Sequence, residues 1–391
     1  MFPSFALAWK LNEESFLKNV KTISELKLRM GYGVTGQQDG IGNYDYLPMY
    51  TLGDNAHKYL IGNQFYQISS PSAADRNRKW EQTATTNIAL DFGLFNGRIS
   101  GSLDLYYKKT KDLLNTVNVP LGTDFTSSIT KNIGSMENKG VEFNLKTQPI
   151  HNNNVIWDVG FNISYNENKI TKLSFTADSS VGLTSGSYLV NTVGYSRNVF
   201  YLYHQVYDKS GYPLEETMLD TNNDGVINEK DRYRSKSSTP KVICGFSTNL
   251  TYKNWSAGMT MHANLGQYIY YRPNDNLVAV YGWIVPYNLN KMYYDSRFKM
   301  SGDQAQNYSD YYLQNASFLK LDNINVGYNF GKIFRSFKND AALRISLDVR
   351  NVLTITKYTG QDPEASYNWG IDWGSNYSVP RIYSVQMDLS F

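Results

Sequence analysis

Arg381-Ile382-Tyr383-Ser384-Val385-Gln386-Met387-Asp388-Leu389-Ser390-Phe391 closes the chain. Its odd positions are bulky and mostly apolar, and its even positions, Ile382 excepted, are small or polar. Successive side chains of a strand point to opposite faces, so this segment has one greasy face and one wet face. The last residue is a bare aromatic, whereas termini commonly fray into water. A strand with lipid on one side and a wet lumen on the other accounts for both features.

Composition sets what the remainder can be. The 391 residues carry a net charge of +3, which calls for no nucleic acid or strongly acidic partner. Mean hydropathy is −0.47 and no long apolar run exists, which excludes transmembrane helices but not a barrel, whose signal is alternation. The 32 Tyr, 18 Phe and 7 Trp suit amphipathic rings at membrane–water interfaces or stacking on sugars. They equally suit ordinary strands. Cys244 is the single cysteine, so there is no internal disulfide framework. Met1-Phe2-Pro3-Ser4 lacks the layout of a secretory signal; an outer-membrane reading then places the start of the protein upstream.

The terminal pattern recurs ten times. Phe5, Leu7, Trp9 and Leu11 alternate with small or polar residues, as do Leu26, Leu28, Met30, Tyr32 and Val34. Further strands carry Ile88, Leu90, Phe92 and Leu94; Ile99, Leu103, Leu105 and Tyr107; Val141, Phe143 and Leu145; and Val155 to Tyr165. Val242 to Tyr252, Trp255 to Leu265, Ile324 to Phe330 and Leu343 to Val349 continue the series. Asn96-Gly97 suits a type I′ hairpin. Short connections at 12–24, 95–98, 149–154, 253–254 and 331–341 alternate with long ones, the two-sided layout of outer-membrane barrels with short periplasmic turns and long extracellular loops. The fold expected is all-β: an antiparallel transmembrane β-barrel segment of about 11 strands. The first and last strands run the same way and cannot pair antiparallel. Bacterial barrels close on even strand numbers, so residues 1–391 are expected to be the C-terminal part of a larger barrel.

Several segments carry more than alternation. They are Leu26-Lys27-Leu28-Arg29 through Gly33-Val34-Thr35-Gly36, Lys79-Trp80-Glu81-Gln82-Thr83, and Tyr106-Tyr107-Lys108 through Asp112-Leu113-Leu114. The most specific is Asn132-Ile133-Gly134-Ser135-Met136-Glu137-Asn138-Lys139-Gly140-Val141-Glu142. Ala316 to Leu321, Gly327-Tyr328-Asn329-Phe330, Asn351 to Tyr358, Gly360-Gln361-Asp362-Pro363-Glu364 and Phe391 complete the series. Together these segments resemble the SusC/RagA-type TonB-dependent outer-membrane transporters. The resemblance implies half of a 22-stranded barrel, with signal peptide, TonB box and plug lying outside these residues. It implies import of oligosaccharides or peptides under a SusD-like surface lipoprotein, driven by TonB-ExbB-ExbD through the missing N-terminal part. A passive porin or structural surface protein in the outer membrane is the alternative.

One local motif stands out, Asp220-Thr221-Asn222-Asn223-Asp224-Gly225-Val226-Ile227-Asn228-Glu229-Lys230-Asp231. Asp220, Asn222 and Asp224 place oxygens at positions 1, 3 and 5, and Gly225 permits the sharp turn. Val226 offers a carbonyl, Asn228 holds a water, and Asp231 takes the place where an EF-hand prefers Glu. Hard oxygen donors at this spacing suit a structural Ca²⁺; an Asx-rich turn without metal fits the same residues. The loop aromatics, Trp283, Trp369 and Trp373 foremost, are read as substrate contacts or as self-packing. His262 is read as a solvated polar residue of the lumen. The carboxylates are too dispersed for an acid–base pair and no nucleophile constellation exists, so no enzymatic activity is expected.

Overall fold

A computed structural model describes residues 2–45, 47, 49–53, 58–67, 69–71, 74–118, 128–174, 182–185, 188–272, 291–298, 306–334, 341–364, 369–374 and 377–390. Alternating side chains build one curved wall of eleven strands: β1 (Ser4–Lys10), β2 (Ile23–Gln37), β3 (Glu81–Leu94), β4 (Ile99–Asn118), β5 (Ser128–His151), β6 (Val155–Leu173), β7 (Val242–Tyr252), β8 (Trp255–Leu265), β9 (Phe318–Phe334), β10 (Ala341–Thr356) and β11 (Ile382–Ser390). They lie side by side in chain order, every neighbouring pair antiparallel. The register runs from Ser4 opposite Gly33 on β1–β2 to Arg350 opposite Ile382 on β10–β11.

Pairing at this register puts the apolar sets on one side. Phe5, Leu7, Leu105, Leu347, Tyr383 and Met387 are all exposed, and Val385 keeps 73% of its surface open. Contiguous apolar area on this scale far exceeds the patches a water-soluble surface carries. Lipid is the solvent that fits it. The opposite face is wet and charged. Arg29 donates Nε and Nη2 to the two Asp91 oxygens at 2.8 and 2.7 Å and reaches Asp104 at 3.2 Å, while Lys27 meets Asp91 at 2.9 Å. Phe391 lies outside the described residues.

The short-turn rim carries the expected connection at 95–98. Pairing of β3 with β4 ends at Leu94–Ile99, Asn96 and Gly97 take φ 57° and 82°, and the Arg98 N–H donates to the Phe95 carbonyl at 3.3 Å, the positive-φ pair of a type I′ turn. Phe95 before them adds a third positive φ, 53°. The 253–254 connection is a two-residue turn with Lys253 at φ 53°. At 152–155, Asn152 Oδ1 accepts the N–H groups of Asn154 and Val155 at 2.9 and 2.8 Å, an Asx turn.

β5 has 24 residues, roughly twice what a tilted membrane strand needs, so the β4–β6 part of the wall rises above the lipid. There its side chains turn inward to protein: Val117, Ile129 and Ile133 are buried together with Leu183 beside them. The long connections after β6, β8 and β10 are not loose loops. Leu183–Ser185, Leu189–Asn191, Val199–Leu202 and Tyr233–Ser237 make a four-stranded sheet. Tyr268–Tyr271 pairs with Leu313–Asn315 and, in parallel, with Ile371–Asp372. These sheets form a cap around Leu189, Phe200, Leu202, Tyr270, Phe298, Tyr312 and Ile371.

A buried glutamine locks the cap. Gln205 donates Nε2 to the Leu214 carbonyl at 2.6 Å and the Val206 carbonyl at 3.1 Å. Its Oε1 accepts from Ser309 Oγ at 2.7 Å and Gln306 Nε2 at 2.9 Å. With its polar atoms partnered, burial carries little penalty.

Candidate ligand site at the long-loop rim

Most loop aromatics serve packing. Tyr270, Tyr271 and Tyr312 are buried, and Tyr268 and Tyr311 pack against the cap core. Burial pushes the Tyr311 phenol up to about 12. Trp373 joins them: it is half-buried against the same core and meets Tyr188 edge-on at 5.6 Å. Trp283 lies outside the described residues. Trp369 is different. It is 58% exposed and sits at φ 66°, a conformation that is a true outlier for a bulky residue. Gly370 after it, at φ 100°, runs so close to Ser238 and Phe200 that a Cβ would lie 2.2 Å from the Ser238 Cβ. The close approach of this backbone to the cap fixes the indole outward. Strain of this kind collects at ligand sites.

The indole faces Arg197, whose guanidinium stands 5.0 Å from the ring centroid. Arg197 is held from the wall: its N–H donates to Asn168 Oδ1 at 2.9 Å. The next residue, Asn198, is buried at φ 54° and donates its N–H to Asn191 Oδ1 at 2.8 Å. Trp369 and Arg197 stand between two recesses of about 220 and about 500 Å³. The larger is lined by Asn138 of β5, by Asn166 and Asn168 of β6, and by Lys241, within the size range of small-ligand pockets. Sequence reasoning found Trp369 but missed Arg197. Nothing in the text around Ser196-Arg197-Asn198 marks it, because the recess exists only where the 194–198 and 369–370 segments converge.

A second tie fixes the strap that bears Trp369. Lys320, buried on β9, reaches Glu364 at 2.5 Å and Asp362 at 3.4 Å. His262 does not stand alone in solvent as the sequence suggested; Nδ1 meets Asp322 at 2.7 Å and Nε2 meets Glu364 at 2.8 Å. Burial alone would raise the Glu364 carboxyl, but Lys320 and His262 outweigh it and hold it below its ordinary value. Further along, the Tyr358 hydroxyl donates to Asp372 at 2.5 Å, and burial together with that carboxylate drives the phenol far up.

In the 220–231 loop, Gly225 takes φ 82° as its spacing requires. Asp220 Oδ2 accepts the Gly225 N–H at 2.8 Å, Asn222 Oδ1 accepts that of Asp224 at 2.9 Å, and Asp224 Oδ1 accepts that of Val226 at 2.9 Å. Asn228 Nδ2 donates to the Val226 carbonyl at 3.0 Å. Asp231 is fully buried. It accepts the Asn228 and Thr221 N–H groups, each at 2.9 Å, and these donors, Asn228 first, hold its carboxyl below the ordinary range. Among the described residues no three His, Cys, Asp or Glu side chains converge to hold an ion.

Comparison with known proteins places this geometry. Residues 1–352 match the family described as TonB dependent receptor-like, beta-barrel. The TonB-dependent receptor SusC of Bacteroides thetaiotaomicron is 40% identical over the whole chain, which spans 40% of that protein. TonB-dependent receptor P3 of Formosa agariphila is 30% identical over the whole chain, which covers 42% of it. Among solved structures, that of the RagAB peptide transporter superposes on all of the chain and on 43% of its own, with a TM-score of 0.80 and 25% identity. The chain thus spans about two fifths of the length of its relatives. The two-faced wall, its unequal rims and these likenesses agree: this polypeptide is an outer-membrane β-barrel segment and belongs to the TonB-dependent receptors of the SusC/RagA type.

Proposed function

We propose that the chain is the C-terminal half of the barrel of a TonB-driven importer, which takes oligosaccharide or peptide from a SusD-like lipoprotein at its mouth. Trp369 is the contact at which ligand is held. Support comes from the likeness to SusC and to the RagAB transporter. The observation that carries the reading is an outward-held indole on the long-loop rim beside a recess lined by wall residues. The test is uptake by cells expressing the complete barrel with Trp369→Ala: uptake should fall while the protein level in the outer membrane holds. Wild-type uptake by that variant removes the site. Uptake that survives loss of TonB favours the passive-porin alternative.

The 220–231 loop is proposed as a structural Ca²⁺ site held by Asp220, Asn222, Asp224 and the Val226 carbonyl, with Asn228 through water and Asp231 at the end. What supports it is hard-oxygen chemistry at EF-hand-like spacing around a left-handed Gly225. Calorimetric Ca²⁺ titration checks it. Heats unchanged by Asp220→Ala with Asp224→Ala count against the site.

A further inference from the structure

Which hydrogen-bonding groups remain free in the larger recess decides what it accepts. Its three wall asparagines each have their carbonyl oxygen already engaged. Asn138 Oδ1 accepts from Asn168 Nδ2 at 2.8 Å. Asn166 Oδ1 accepts from the Tyr106 hydroxyl at 3.0 Å, and Asn168 Oδ1 accepts the Arg197 N–H. Of these three side chains what remains is donors, the amide N–H₂ groups of Asn138 and Asn166. Three cations, Lys169, Lys241 and Arg197, share the lining. Among the described residues, neither Arg197 nor Lys241 has a carboxylate in ion-pair range, and Arg197 has only the indole beneath it. The one acidic residue on the lining, Glu167, is already paired with Lys139 at 3.2 Å. A cavity with free amide donors, three cations and one carboxylate that is already paired is complementary to an acceptor-rich anion.

We propose that this recess is an anion-selective subsite for an acidic oligosaccharide, one bearing a carboxylate or sulfate on its rings. This rests on the import reading above. The anion pairs with the Arg197 guanidinium, whose planar fork matches either group. The sugar ring lies along the open part of the Trp369 indole, and its hydroxyl oxygens accept from Asn138 and Asn166. A saccharide fits better than an acidic peptide because the recess offers a flat ring and scattered side-chain donors. Extended peptides are commonly recognised by pairing with a free strand edge, and β5 and β6 are paired on both sides here.

The complete barrel protein in detergent micelles is titrated calorimetrically with four probes: trigalacturonate, a sulfated galactan tetrasaccharide, a neutral galactan tetrasaccharide and tetraglutamate. Wild-type protein should bind one or both acidic saccharides about tenfold or more tightly than the neutral one, and the advantage should shrink as salt rises. Arg197→Gln should erase the advantage and Arg197→Lys should restore part of it. Which acidic sugar wins assigns carboxylate or sulfate. Equal binding of acidic and neutral sugars, both lost in Trp369→Ala, overturns anion selectivity yet leaves the import site standing. Tighter binding of tetraglutamate than of either acidic sugar overturns the saccharide assignment. No binding of any probe, with normal uptake by Trp369→Ala, overturns both this proposal and the site it rests on.

Discussion

Lys320→Gln tests how the strap bearing Trp369 is held. Lys320 and Asp362 are both buried, 5% and 7% exposed, and Glu364 completes the contact at 2.5 Å. Taking the ammonium away leaves Asp362 as a buried carboxylate without its cation, a change that costs about 3–5 kcal/mol. At roughly 1.4 kcal/mol per tenfold, opening of the strap should become a hundredfold to a few thousandfold easier. Hydrogen exchange on the complete barrel in micelles reads this directly. Amides of 358–364 and 370–372 should lose protection by that factor, while those of β2 and β3 stay unchanged. Saccharide binding should weaken although no residue of the recess has been altered. Lys320→Met combined with Asp362→Leu should recover most of the protection, since an apolar pair replaces a buried ionic one at little cost. Unchanged protection in the single variant refutes the ionic tie. A double variant no better than the single shows that Lys320 acts through something other than charge.

Further outcomes follow from the same geometry. Trp373→Ala should destabilise the cap by about 3 kcal/mol, whereas Trp369→Ala, exposed as it is, should stay within about 0.5 kcal/mol; thermal melts separate them. On β11, Val385→Lys should cost about 2–4 kcal/mol in the bilayer and Gln386→Lys almost nothing, measured by urea unfolding in vesicles. Asp231→Asn should loosen the 220–231 loop by about 2 kcal/mol, since hydrogen bonds to an ionised group are lost; protease nicking reports it. Because the folded Asp231 carboxyl lies below its ordinary 3.8, its stabilisation is complete above that value. It is lost as pH falls through the lower folded one, so wild-type nicking should rise only in acid below about pH 4.

The wall was legible because period-two alternation leaves few alternatives when eleven strands share it between alternately short and long connections. Val385 and Met387 face outward as the pattern at 381–391 requires. The Asn96-Gly97 turn was legible because both residues tolerate positive φ, whereas the left-handed Phe95 before it was not, since it is set by where β3 and β4 stop pairing. The cap was illegible as a fold. Its sheets join segments as distant as Tyr270 and Ile371, and strands of two to five residues carry no periodicity. His262 looked like an isolated polar residue because its partners, Asp322 and Glu364, are 60 and 102 positions away. For the same reason Trp369 could be named in advance and Arg197 could not.

The cap has a mechanical consequence. Its strands are drawn from the connections that follow β6, β8 and β10, so they stitch together the upper ends of six neighbouring staves, from β6 to β11. Spreading those staves would tear open a core around Tyr270 and Phe200. This arc of the long-loop rim therefore resists spreading, and any widening of the rim falls to strands outside it.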